Sequence, residues 1–106
     1  MAFKGSNPFK IPRPVRYPDG WNAETLAGDK TLTLKDAQMQ ALDCGGDSRN
    51  IHLPSGSIKG HFYHIANKSD AAEVLVLTQP DGTTQVCQVS QNDYAIIYAS
   101  DDVAAG

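Results

Sequence analysis

Three turn signatures punctuate this chain, "DCGGDS" at 43–48, "QPDG" at 79–82 and "SQND" at 90–93, and between them lie only short apolar runs. Gly45-Gly46 between acids supplies the positive-φ positions of a tight turn. Pro80 and Gly82 suit the second and last positions of another, which predicts a hairpin between "EVLVLT" and "TTQVCQV". The runs themselves alternate with the period of a strand. "KTLTLK" places Leu32 and Leu34 on one face, and "RNIHLP" places Ile51 and Leu53 on one face with Pro54 as the stop. A strand ending at Leu42, then "HFYHIAN", "EVLVLT", "TTQVCQV" and "YAIIYA", complete five or six short strands at roughly ten-residue spacing. No segment carries a helical period; "DAQMQAL" is the one place where a short helix competes. The expected fold is all-β, a small antiparallel sandwich or barrel with an extended N-terminal arm.

The arm is visible in composition. Four of the six prolines, Pro8, Pro12, Pro14 and Pro18, fall in the first 20 of 106 residues. They remove backbone donors and fix φ near the polyproline value, which disfavours helix and central strand. The net charge of −3 conceals a split: residues 1–18 carry Lys4, Lys10, Arg13 and Arg16 and no acid, while the remainder holds five bases and twelve acids. Phe3, Phe9, Ile11, Val15 and Tyr17 interleave with those cations, unlike the composition of an inert linker. The expected layout is an extended basic arm over 1–30, a β-domain over 31–100 and a flexible tail over 101–106. Such an arm orders on a partner or folds back on its own domain. Extended, thirty residues reach about 100 Å. Partner-binding residues expected in it are Phe3, Lys4, Phe9, Lys10, Ile11, Arg13, Arg16 and Tyr17.

No familiar catalytic chemistry is spelled out. The chain lacks GxSxG, P-loop, GxGxxG and HExxH patterns. Cys44 and Cys87 are 43 positions apart with no metal-ligand spacing, so two thiols are expected, Cys87 as a small core residue beside Val89. Asp43/Asp47 and Asp101-Asp102 sit in turn or tail contexts and read as solvated acids. His61 and His64 in one strand lie about 10 Å apart on opposite faces and cannot share an ion. Only a His52–His64 cross-strand pair keeps a metal geometry open, and no metal or cofactor is expected. Tyr63 and Ile65 are assigned to the core face; Phe62 and His64 point outward as a possible interface, with Val74 and Val76 as candidate neighbours of Phe62. The acidic body argues against nucleic acid as the main partner. No run of 18 apolar residues spans a membrane, and "MAFKGSNPFKIPRPVRYPDG" has no apolar core of a secretory signal.

Across about two-thirds of the chain the order of motifs resembles a group of small β-rich virion proteins of tailed bacteriophages. The residues carrying the likeness are Leu42, Asp43, Gly45, Gly46, Arg49, Asn50, Leu53 and Pro54. Lys59, Gly60, Tyr63, Ile65 and Asn67 follow, then Ala71, Ala72, Glu73, Leu75 and Leu77. Tyr63 stands where the pattern carries a Phe-like residue, and "ASDDVAAG" replaces an Asp-Gly-x-x-Trp ending. Short stand-alone members with an N-terminal arm are similar to head-decoration (cement) proteins. The resemblance implies a non-enzymatic protein of the capsid exterior, assembled in the host cytoplasm. It implies the major capsid protein as partner, a homotrimer as the assembly, and an arm lying along the coat. A tail- or fibre-associated module binding a host glycan or protein through Phe62, His64 and Tyr98 is the alternative.

Overall fold

The computed structural model describes residues 20–56 and 60–99 together with the backbone of 3–6. Nine strands and no helix are found among the described residues. They are β1 (Phe3–Ser6), β2 (Trp21–Thr25), β3 (Lys30–Thr31), β4 (Met39–Asp43), β5 (Arg49–His52), β6 (Phe62–Asn67), β7 (Leu75–Thr78), β8 (Gln85–Val89) and β9 (Tyr94–Ala99). They form a five-stranded sheet, β1-β9-β6-β4-β2, and a four-stranded sheet, β3-β5-β7-β8. The all-β expectation holds in this form.

The expected antiparallel pairing does not. β2 with β4, β4 with β6, β3 with β5 and β5 with β7 are all parallel. The reason is connectivity. From β2 to β7 every connection carries the chain from one sheet to the other, so strands that neighbour in a sheet are two apart in sequence and enter in the same direction. "DCGGDS" is therefore a corner between sheets. Only "QPDG" makes the expected hairpin, joining β7 to β8 with a shift of register between Leu77 and Thr78. β9 then returns antiparallel to β6, and β1 lies antiparallel on its far side.

Strands also lie ahead of the expected start at residue 31: beyond β1, β2 falls wholly within residues 1–30 and β3 begins at Lys30. Their side chains hide the signal: β2 is almost wholly exposed and β3 has two residues. Leu32 and Leu34 do not share a face. Leu32 is buried, but a turn tied by the Thr33 N–H donating to Asp36 Oδ2 (2.6 Å) leaves Leu34 exposed. Phe9, Lys10, Ile11, Arg13, Arg16, Tyr17 and the tail 101–106 lie outside the described residues, as do the side chains of Phe3 and Lys4.

Between the sheets, Leu32, Leu42, Ile51, Leu53, Tyr63, Ile65, Leu75, Leu77, Val89 and Ile97 are buried in one core. Side chains of this size contribute about 1.5–3 kcal/mol each on full burial. The Tyr63 hydroxyl, buried with its ring, donates to the Thr33 carbonyl at 3.1 Å. Cys44 is a buried thiol within the same core and Cys87 a partly buried one at its margin, both free; burial pushes the Cys87 thiol up.

The β7–β8 turn has a measurable signature. Asp81 is held down to about 2, first by the Thr84 hydroxyl, then by the Thr84 and Thr83 N–H groups. Because the folded value lies below the ordinary 3.8, the turn's contribution is fully present above pH 3.8 and disappears as pH falls through about 2. A carboxyl NMR titration of Asp81 is expected to show a midpoint near 2; a midpoint near 3.8 would show that these bonds do not persist in solution.

Candidate functional site

The outward face of the five-stranded sheet is the most distinctive surface. Alternation fixes it: Tyr63, Ile65 and Asn67 of β6 point into the core, so Phe62, His64 and Ala66 point out, as expected for Phe62 and His64. Register carries this parity across the sheet. Trp21, Met39, His64 and Ile96 stand in one row, with Ser6 at its end. Ala23, Ala41, Ala66 and Tyr94 form the next. Phe62 and Tyr98 form a third, with Lys4 opposite Tyr98.

The chemistry of these rows is uniform. Met39, Ala41 and Ala66 make a small buried cluster separate from the main core. Around it stand exposed rings, Trp21 at 66% and Tyr94 and Tyr98 at 37% each. The His64 and Tyr94 rings meet with centroids 5.1 Å apart. Burial lowers the His64 pKa below its ordinary 6.5, so the imidazole is neutral at pH 7. Lys4 is the one charged residue in these rows. Exposed apolar area rich in Trp and Tyr and poor in charge is the composition of a protein contact surface.

Phe3 and Lys4, expected as partner-binding residues, lie on β1, which pairs with the chain's own β9. Two other expectations resolve differently. Val76 lies on β7 of the other sheet, so it is no neighbour of Phe62. His52 also belongs to that other sheet, with its Nδ1 2.8 Å from Thr78 Oγ1. The outward faces carrying His52 and His64 lie on opposite sides of the sandwich, so no single ion bridges the two. Trp21, Met39 and Ile96 went unrecognised in the sequence. "WNAET" alternates apolar and polar residues, but over only five positions directly after the proline-rich stretch, and the parallel partnership that aligns Trp21 with His64 has no local signature.

A second cluster was also missed. One carboxylate oxygen each from Asp43, Asp70 and Glu73 converge within 4.8 Å of one another. Asp43 ends β4, and the other two lie on the loop between β6 and β7, where the parallel strands of this sheet all finish. Spacings of 27 and 30 positions hide the convergence. An open depression of about 400 Å³ lined by Ala23, Glu24, Thr25, Ala41, Asp43 and Lys68 borders it. Comparison with protein-family models, curated proteins and solved structures finds no match for this chain.

Proposed function

We propose that the protein is a decoration (cement) protein of a tailed-phage head, which binds the capsid exterior and bridges coat subunits without catalysis. The observation that carries this reading is the charge-poor aromatic face of the five-stranded sheet. It gives a short domain a broad rigid contact, and its rings lose little conformational freedom on docking. The likeness in motif order to small virion proteins points the same way.

In this reading the leader acts partly through its own domain. Phe3–Ser6 adds to β9 of its own chain, so the leader tip frames the docking face instead of hanging free. Phe9, Ile11 and Tyr17 fill pockets on the coat, and Lys10, Arg13 and Arg16 meet its acidic groups. Copies assemble as homotrimers, and repetition over the lattice makes modest single contacts sufficient.

Co-sedimentation with undecorated heads tests this. The full chain is expected to saturate the lattice. Trp21→Ser and Tyr98→Ser are each expected to weaken binding roughly 10–30-fold, the loss typical of a central aromatic anchor. Both should leave stability within about 1 kcal/mol, because these side chains are exposed in the isolated domain. Residues 20–106 alone should also bind more weakly; full affinity of that fragment would remove the leader from the mechanism. A tail- or fibre-associated module is the second reading, favoured by the same exposed rings, which also suit stacking on sugars. Glycan binding without head binding would select it.

A further inference from the structure

We propose that Asp43, Asp70 and Glu73 form a calcium-binding site joining the end of β4 to the β6–β7 loop. This assignment is independent of the docking face and rests on four observations.

The first is concentrated negative charge, which Lys68, lining the depression beside Asp43, meets without an ion pair. Three carboxylates converge within 4.8 Å, yet the one ion pair among the described residues is elsewhere, Lys30 to Glu24 at 2.7 Å. Like charges at such separations repel unless a cation lies between them.

The second is the state of Glu73. The residue as a whole is half-buried, but its side chain is buried in the cluster, and Oε1, withdrawn from solvent, has no hydrogen-bond partner. A buried carboxylate oxygen without a donor is unfavourable, and native structures rarely leave one so. Other acids of this protein behave differently. Asp81 takes the N–H groups of Thr83 and Thr84 at 2.9 and 2.8 Å, and Asp29 takes the Asn50 N–H at 2.9 Å. A cation supplies for Glu73 what N–H donors supply for them.

The third is preorganisation. Asp43 Oδ1 is fixed by the Gly45 N–H at 2.9 Å. The loop is fixed by the buried Asn67, whose Nδ2 donates to the Glu73 carbonyl at 2.8 Å and whose Oδ1 accepts the Ser69 N–H at 3.0 Å. Ser69 Oγ accepts the Cys44 N–H at 2.9 Å, which ties the loop to the residue after Asp43. Ser48 Oγ accepts the Val74 N–H at 3.0 Å on the other side of Glu73. The ligands therefore need little ordering when the ion arrives.

The fourth is ligand chemistry. Three carboxylates with no imidazole or thiolate form a hard, all-oxygen set, which selects calcium or magnesium over zinc. Calcium holds oxygens at about 2.4 Å, so opposed ligands stand up to about 4.8 Å apart, whereas magnesium demands about 2.1 Å and near-octahedral order. Asp70 is exposed, which leaves an entry path and room for the waters that complete calcium's six to eight ligands.

Calorimetry and thermal unfolding of the full chain, stripped with EDTA and titrated with calcium chloride, provide the test. One ion per chain is expected, with a midpoint for unfolding raised by on the order of 5–10 °C at saturating calcium. Glu73→Gln and Asp70→Asn should each weaken binding at least tenfold, while Asp47→Asn, in the neighbouring turn, should not. Asp70 is exposed, so Asp70→Asn reads the site even if Glu73→Gln folds poorly. Absence of heat and of any thermal shift at about 5 mM calcium, the weak end of known calcium modules, would overturn the proposal. So would undiminished binding by Asp70→Asn, a larger shift with magnesium, or an equal shift with sodium chloride at matched ionic strength.

Discussion

Replacing Gly45 by alanine is expected to destabilise the domain by about 3–5 kcal/mol, combining the strain of a non-glycine residue at positive φ with overpacking against a neighbour. Gly45 sits at φ +74°, and a Cβ there would stand 2.1 Å from the Leu26 carbonyl oxygen. That oxygen is backbone and cannot swing aside, because the Leu26 N–H is bonded to the Asp43 carbonyl at 2.8 Å. The substitution therefore pushes the end of β2 away from β4 at the corner where the chain changes sheets. Gly46 provides the control: its φ is +109°, but nothing lies within 4 Å of the added Cβ. Gly46→Ala should lose only about 1–2 kcal/mol, from backbone strain alone. Urea denaturation separates the two. Equal losses would mean that the close approach of Gly45 to Leu26 is not what fixes the corner.

Asn67→Ala is expected to be of similar size, about 3–5 kcal/mol, because it abandons several buried partners together. Asn67 is fully buried at the end of β6. Its Nδ2 donates to the Val89 carbonyl at 2.9 Å, at the end of β8 in the other sheet, and to the Glu73 carbonyl at 2.8 Å. Its Oδ1 accepts the Ser69 N–H at 3.0 Å. Alanine leaves two carbonyls and one N–H without partners and lets one end of the sandwich open. A loss below about 1 kcal/mol would mean that water replaces the amide easily and that the side chain is no stitch between sheets. The same variant should also lose the calcium response, since it frees the loop carrying Asp70 and Glu73.

Local order was legible in the sequence where a strand has one buried and one open face. Alternation placed Tyr63 and Ile65 inside and Phe62 and His64 outside, and "QPDG" gave its hairpin, because these signals lie within a few residues of one another. Partnership was not legible. A glycine-rich corner between sheets uses the same chemistry as a hairpin, so "DCGGDS" does not disclose that β4 and β5 part company. The antiparallel reading followed from that ambiguity. β2 escaped because its alternation is short, follows directly on the proline-rich stretch and belongs to an edge strand that is almost wholly exposed. The docking face and the acidic cluster escaped for one shared reason: both are assembled by parallel neighbours from separate stretches of chain.

Radical footprinting of the protein free and bound to undecorated heads tests the docking account most directly. Trp21, Tyr94 and Tyr98 should lose reactivity together on binding, while Val86, Cys87 and Pro80, on or beside the four-stranded sheet, keep theirs. Unchanged reactivity of the three rings on saturated heads, or protection confined to the four-stranded sheet, would contradict it.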